Sequence, residues 1–342
     1  MLVLAPVPLV GPTVLVLPAH EKWFLDDASA YPTDWSFVAR PLVLLTILAV
    51  VAVAVAWRWA ALRFLPVPEL RFLRPLGRLA PWAPRLLGIH LGISLLALAV
   101  SGRFLTWNLD TRDLSFGGVL MLAEGALGVW FISGVRLRPA AIGLVALGPV
   151  ALTLTGPVGL LSAADLLGIA GFLAVLPPGE GRWGRVELDE RRTRAAVGLL
   201  RVGVGTALIT LAFAEKLANP AMAQATVEAY PRLDVFAMVG ISVPAAAFVA
   251  IAGATELLFG LLVLSGAAPQ VVVLVAAIPF NATLLLFGQT ELLGHLPVYG
   301  VFLTLLVLGS DPRTAPWVRA LPSTERLRRA VGNVSFSRRA VR

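Results

Sequence analysis

The strongest constraint on this chain is a series of apolar runs, each roughly as long as a membrane-crossing helix, separated by short segments that hold most of its arginines. Crossing the ~30 Å hydrocarbon core takes about 20 apolar residues per helix, and only helices or closed barrels satisfy their backbone hydrogen bonds there. The runs are helix-length rather than strand-length, so the expected fold is an all-α integral membrane protein. We read about nine transmembrane helices, near 41–57, 86–106, 115–133, 139–155, 157–177, 196–215, 245–265, 271–288 and 296–310. Of the 342 residues 58% are hydrophobic and 14% charged, leaving more apolar surface than a soluble domain can hide.

Charge orients the helices. The segments 58–85, 134–138, 178–194 and 311–342 carry 21 of the 28 basic residues and alternate with acidic loops holding Asp26, Asp27, Asp34, Asp110, Asp113, Glu228 and Asp234. Arginine-bearing loops stay in the cytoplasm, so the N-terminal arm is expected outside and the C-terminal tail inside. Only Lys22 and Lys216 are lysines, which reads as a GC-rich coding bias and a bacterial cytoplasmic membrane. The arginine clusters suit anionic lipid headgroups, and no nucleic-acid-binding motif accompanies the net charge of +8. Residues 2–18, broken by Pro6, Pro8, Pro12 and Pro18 and preceded by no positive segment, read as a weak signal sequence ending at Ala19, a tenth membrane element or an interfacial arm.

The chain also resembles itself. At an offset of 132, Leu122–Gly134 aligns with Ala254–Gly266, bringing Glu124 onto Glu256, Gly128 onto Gly260, Ser133 onto Ser265 and Gly134 onto Gly266. The same offset pairs Gly168 with Gly300, and an offset of 113 pairs Gly92 with Gly205 and Arg103 with Lys216. Four helices per unit is an even number, so both copies enter the membrane in the same direction. The expected organisation is an outer arm (1–40), a lone helix with a basic loop (41–85), a first four-helix bundle (86–177), a linker (178–194), a second bundle (195–310) and a basic tail (311–342).

The second unit resembles the DoxX/DoxD family of four-helix membrane proteins through Leu200-Arg201-Val202-Gly203-Val204-Gly205, Glu215-Lys216-Leu217 with Pro220, and the run Ala252–Gly266 around Glu256. The likeness covers roughly 195–310 well and 86–177 faintly. It implies a place in respiratory or redox chemistry, since the family includes the membrane subunit of a thiosulfate:quinone oxidoreductase. The extra copy, lone helix, arm and tail depart from the family's single bundle, so a thiosulfate activity does not simply carry over.

An ionised carboxylate inside an apolar helix is costly and is by default a functional candidate. Glu256 and Glu124 are therefore the candidate proton-exchanging carboxyls, with interhelical hydrogen bonding as the structural alternative. Lys216, Asn281, Glu215 and Arg103 are candidate contacts for a quinone or an anion, snorkelling being the simpler account of Lys216 and Arg103. Asp165 reads as a cap or an arginine partner.

With no cysteine and only His20, His90 and His295, neither an iron–sulfur cluster nor a bis-histidine haem is expected, and no nucleotide fingerprint appears. His20 and His295, with Glu21 and Glu291 nearby, form a weak outer metal candidate. The functional expectation is a quinone-linked membrane subunit with a protein partner in a redox complex. A small-solute or proton transporter and a structural or assembly protein are the alternatives.

Overall fold

The computed structural model describes Leu25, residues 30–176 and residues 183–321. The apolar stretch 2–18, His20, Lys22, part of the linker and the tail beyond Leu321 lie outside the described residues.

The chain is a helical, multi-pass membrane protein. Its described α-helices of ten residues or more are α1 (Pro41–Phe64), α2 (Ala83–Val100), α3 (Gly117–Ser133), α4 (Leu137–Ala146), α5 (Gly148–Ser162), α6 (Ala164–Val175), α7 (Glu190–Leu211), α8 (Pro220–Ala229), α9 (Ala245–Ser265), α10 (Pro269–Phe287) and α11 (Gln289–Ser310). Among the described residues six are long and apolar enough to cross a membrane, α2 and α7 with the short helical turns that extend them, or seven if the bent pair α4–α5 is one span.

The remaining spans read from the sequence, 115–133, 139–155 and 157–177, correspond to shorter or broken helices. Helix α3 has 17 residues and α6 has 12, while α4 and α5 meet at 53°. Glycine and proline explain the breaks: Gly148-Pro149 restarts the helix, and Gly156 adopts φ 71° just before Pro157 inside α5. The run read as 86–106 stops at Val100, after which Arg103–Phe104 (β1) and Thr106–Asp110 (β2) pair as an antiparallel hairpin.

Helix α1 lies mostly against lipid, with 11% of its apolar window buried. It is fastened at one end, where Trp57 Nε1 donates to the Ala267 carbonyl at 3.4 Å and Arg58 donates to the Ser265 carbonyl.

The inner helices approach through glycine. A Cβ on Gly92 of α2 would sit 2.5 Å from the Gly128 carbonyl of α3, and one on Gly205 of α7 would sit 3.0 Å from the Gly260 carbonyl of α9. Across the molecule, a Cβ on Gly203 of α7 would meet Gly168 Cα of α6 at 2.5 Å, and one on Gly300 of α11 would meet His90 Cβ of α2 at 2.7 Å. Small residues let backbones come this close where lipid gives no hydrophobic drive for helices to associate.

The arginine-rich end of the bundle is closed by backbone capture. Arg201, 1% exposed, donates from Nε to Val263 O at 2.9 Å, from Nη1 to Val318 O at 2.8 Å and Ala320 O at 2.6 Å, and from Nη2 to Leu264 O. Arg319 donates to the carbonyls of Pro66 at 3.1 Å and Ala61, and lies 3.6 Å from the Glu69 carboxylate. Burial pushes the Glu69 carboxyl above its ordinary range, and Arg319 works against that shift.

Candidate functional site

At the opposite end, which carries the β-hairpin and α8, the helices enclose a cavity of about 570 Å³. Its wall is mainly apolar, with Leu98, Leu208, Phe248, Phe259, Phe280 and Val298 facing it, and two clusters of paired ionisable groups stand on it.

The first cluster is built by a change of helical pitch. After Leu211, α7 continues as a π-helix over Ala212–Leu217, in which the Ala218 N–H reaches the Phe213 carbonyl at 2.8 Å. Wide turns of this kind recur at functional sites. This one places Glu215, fully buried, beside Lys216, and Lys216 Nζ lies 3.4 Å from Glu215 Oε2 and 3.0 Å from Glu256 Oε2 of α9. Lys216 is thus paired with a carboxylate on its own helix and with one on α9. Asn219 ends the turn, accepting from the Met222 N–H as the N-cap of α8 and donating to the Tyr31 carbonyl at 3.1 Å, while the Asp34 N–H bonds to Ala218 O at 2.7 Å. Residues 31–38 are thus held over this end of α7, with Trp35 stacked on Phe213 at 6.4 Å.

The second cluster is on α11. Glu291, 1% exposed, and His295 one turn later are paired, with His295 Nδ1 at 3.1 Å from the Glu291 carbonyl oxygen and 3.4 Å from Oε1. Both contacts call for a proton on Nδ1, which makes Nε2 the acceptor nitrogen of the neutral ring. Phe280 lies edge-on to the imidazole at 5.1 Å. Asp165, in the first turn of α6, and Arg232 also line the cavity.

Among the residues expected from the sequence, the structure gathers Lys216, Glu256 and Glu215 at one cluster and His295 at the other. The rest go elsewhere. Glu124 does not line the cavity: it is fully buried and its Oε1 accepts from the Leu105 N–H at 2.9 Å, holding the hairpin turn where Leu105 takes φ 59°. Arg103 pairs with Asp110 at 3.4 Å within the hairpin, where the neighbouring Arg112 guanidinium, donating to Asp110 Oδ1 at 3.0 Å, holds that carboxyl below the ordinary carboxylate range. Asn281 is exposed and donates back to the Ala277 carbonyl at 2.7 Å.

The matched positions Glu124 and Glu256 thus have different partners, a backbone amide and a lysine. Replacing Glu124 by Gln keeps an acceptor for Leu105 and is expected to leave thermal stability in detergent nearly unchanged. Glu124→Leu strands a buried N–H and is expected to cost ~1–3 kcal/mol. Equal melting temperatures for the two variants would contradict this role.

Sequence reasoning missed the Glu291–His295 pair as a cavity element, although its i, i+4 spacing on one helix was a usable signal. It also missed Trp107, which lines the cavity and whose indole N–H is buried without a hydrogen-bond partner among the described residues. Among those residues no group of three or more His, Cys, Asp or Glu is placed to hold a metal ion, and His20 lies outside them. The arrangement offers a mainly apolar chamber whose wall carries an ammonium (Lys216), a guanidinium (Arg232), three carboxyls (Asp165, Glu256, Glu291) and an imidazole (His295), the chemistry for a small head with polar edges. No family model, curated protein or solved structure matches the chain.

Proposed function

We propose that the protein is the membrane subunit of a quinone-linked redox system and that the cavity receives the quinone head. The observation that carries this reading is the juxtaposition of Lys216–Glu256 with Glu291–His295 on the wall of one aromatic-lined chamber. A quinone carbonyl needs a donor, which Lys216 supplies, and a quinol hydroxyl needs an acceptor, which Glu256 or His295 Nε2 supplies. Protons exchanged with the ring then pass to and from these side chains, while the phenylalanines keep the ring dry. Electrons come from a redox partner docked at the hairpin end. The DoxX/DoxD likeness of residues 195–310 supports the same reading.

In this proposal the arginine-rich end faces the cytoplasm of a bacterial cell and the cavity lies toward the outer face. The architecture is a lone helix with two like-oriented units. The matched contacts Gly92 with Gly128 and Gly205 with Gly260 support that duplication, as do Gly168 with Gly203 and Gly300 with His90. A second reading, passage of protons or a small solute, draws on Asp165, Glu256 and Glu291 standing at one chamber.

Extraction of the protein purified in mild detergent is expected to release quinone at about one per chain. Glu256→Gln, which keeps the shape and removes the charge, is expected to weaken quinone binding by at least about tenfold, or ~1.4 kcal/mol. Absence of retained quinone, together with pH-gradient-driven flux in vesicles that Glu256→Gln abolishes, would transfer the site to the second reading.

A further inference from the structure

Among the described residues the cavity is roofed and floored, and one side wall is open. On the basic side, α9 and α10 join through Gly266, Ala267 and Ala268, all buried, and Gln270 Nε2 donates to Ser310 Oγ at 2.8 Å. On the hairpin side, the segment between α8 and α9 lies across the top, with Tyr230 edge-on to Phe287 at 4.9 Å and Phe236 edge-on to Phe248 at 6.2 Å.

Between these closures the two helices separate. The buried residues of α10 are Pro269, Gln270, Val272, Val273 and Ala276, all in its first half, and none from Ala277 to Phe287 is buried. Burial stops next to Pro279, which removes a rung from the helical hydrogen-bond ladder. Facing this stretch, Ile251 of α9 is 43% exposed although it lines the cavity, and Thr255, Pro279 and Ala282 are likewise both exposed and cavity-lining. Residues that face the chamber and the outside at once mark its mouth, and they stand on two helices long and apolar enough to cross a membrane.

We infer that the ligand enters sideways from the bilayer, between α9 and α10, and that its apolar tail stays in that slot while its polar head reaches Lys216 and Glu256. This rests on the quinone reading and narrows it to quinones with a polyprenyl tail. Aqueous solutes are poor candidates for such a mouth, because their path to it crosses lipid. An aromatic head with a long chain dissolved in the membrane meets neither barrier. The hydroxyls at the slot, Thr255 and Thr283, each donate to a carbonyl of their own helix, so the wall between apolar residues suits a chain without polar groups.

The test places a bulky side chain in the slot, away from the polar clusters. Ala282→Trp fills the mouth, and Ile278→Trp, at a position 67% exposed and outside the cavity wall, is the control. In nanodiscs, Ala282→Trp is expected to lower affinity for a polyprenyl benzoquinone by at least about tenfold and to change affinity for the same head without a tail by less than about twofold, with Ile278→Trp altering neither. Equal loss for both probes, or loss for neither, overturns the slot. Ala282→Leu replaces the tryptophan if that variant fails to fold.

A second measurement stands apart from the quinone reading. A phospholipid with a photoreactive acyl chain is expected to label the cavity-facing Phe259 or Thr283 in the wild type and to lose that labelling in Ala282→Trp. Labelling that persists while no quinone binds would retain the lateral mouth and remove the quinone. No labelling of the cavity wall would remove the mouth itself, and stoichiometric phospholipid retained in the purified protein would replace the proposed occupant.

Discussion

Replacing Gly203 with alanine is expected to cost this protein a large part of its stability. The new Cβ would lie 2.5 Å from the Ala164 carbonyl oxygen, 2.5 Å from Gly168 Cα and 2.7 Å from the Gly168 nitrogen. All three are main-chain atoms, so no rotamer change relieves the contact and α6 must move away from α7. Overpacking a fitted core already costs ~1–3 kcal/mol where side chains can adjust, and here they cannot. Against a typical total stability of ~5–15 kcal/mol, the expected result is little folded protein at 37 °C and a sharply lower melting temperature in detergent.

Gly118→Ala is the matched control. A Cβ there meets nothing within 4 Å, and alanine is the better helix former by ~1 kcal/mol. A Gly203→Ala protein that melts like the wild type would mean that α6 and α7 are not in main-chain contact.

The second large effect is expected for Arg201→Met. The guanidinium satisfies carbonyls of Val263 and Leu264 in the last turn of α9 and of Val318 and Ala320 in the segment after α11. Methionine retains much of the bulk and donates nothing. Leaving a buried carbonyl without a donor costs ~1–3 kcal/mol each, so a loss of at least ~3 kcal/mol is expected. The loss should also be local: residues 315–320 lose their attachment to α7, and trypsin is expected to cut after Arg319, 5% exposed in the wild type, faster than it does in the wild type. Arg201→Lys, with one ammonium in place of a planar fork, should fall between. Unchanged proteolysis in Arg201→Met would show that the segment is held by packing alone.

How much of this was legible follows from what each feature depends on. Apolar run length carried the membrane-spanning class, and α1, α9 and α10 lie close to where hydropathy placed them, because a helix in lipid is defined by local composition. The count of nine was less secure for a local reason: Gly148-Pro149, Gly156-Pro157 and Ala163 break one apolar stretch into short helices without interrupting its hydropathy. The hairpin after Val100 escaped notice because Phe104, Leu105 and Trp107 are as apolar as the helix before them.

At the site, Glu256 and Lys216 were marked by the cost of charge in an apolar run, and the structure brings them to 3.0 Å. The same argument marked Glu124, whose partner is the Leu105 amide. Cost identifies a buried carboxyl but not what satisfies it. The π-turn at Ala212–Leu217 and the widening between α9 and α10 have no residue signature, since both arise from how neighbours pack.

The close contacts Gly203 with Gly168 and Gly300 with His90 have a consequence for biogenesis. Helix α6 fits against a helix made after it, and α2 fits against α11, the final long helix of the described chain. As synthesis proceeds, α2 enters the bilayer with one flank bare and keeps it so until α11 has emerged. Neither portion can finish folding while its counterpart is missing, so a ribosome stalled anywhere before α11 leaves an open intermediate for quality-control proteases.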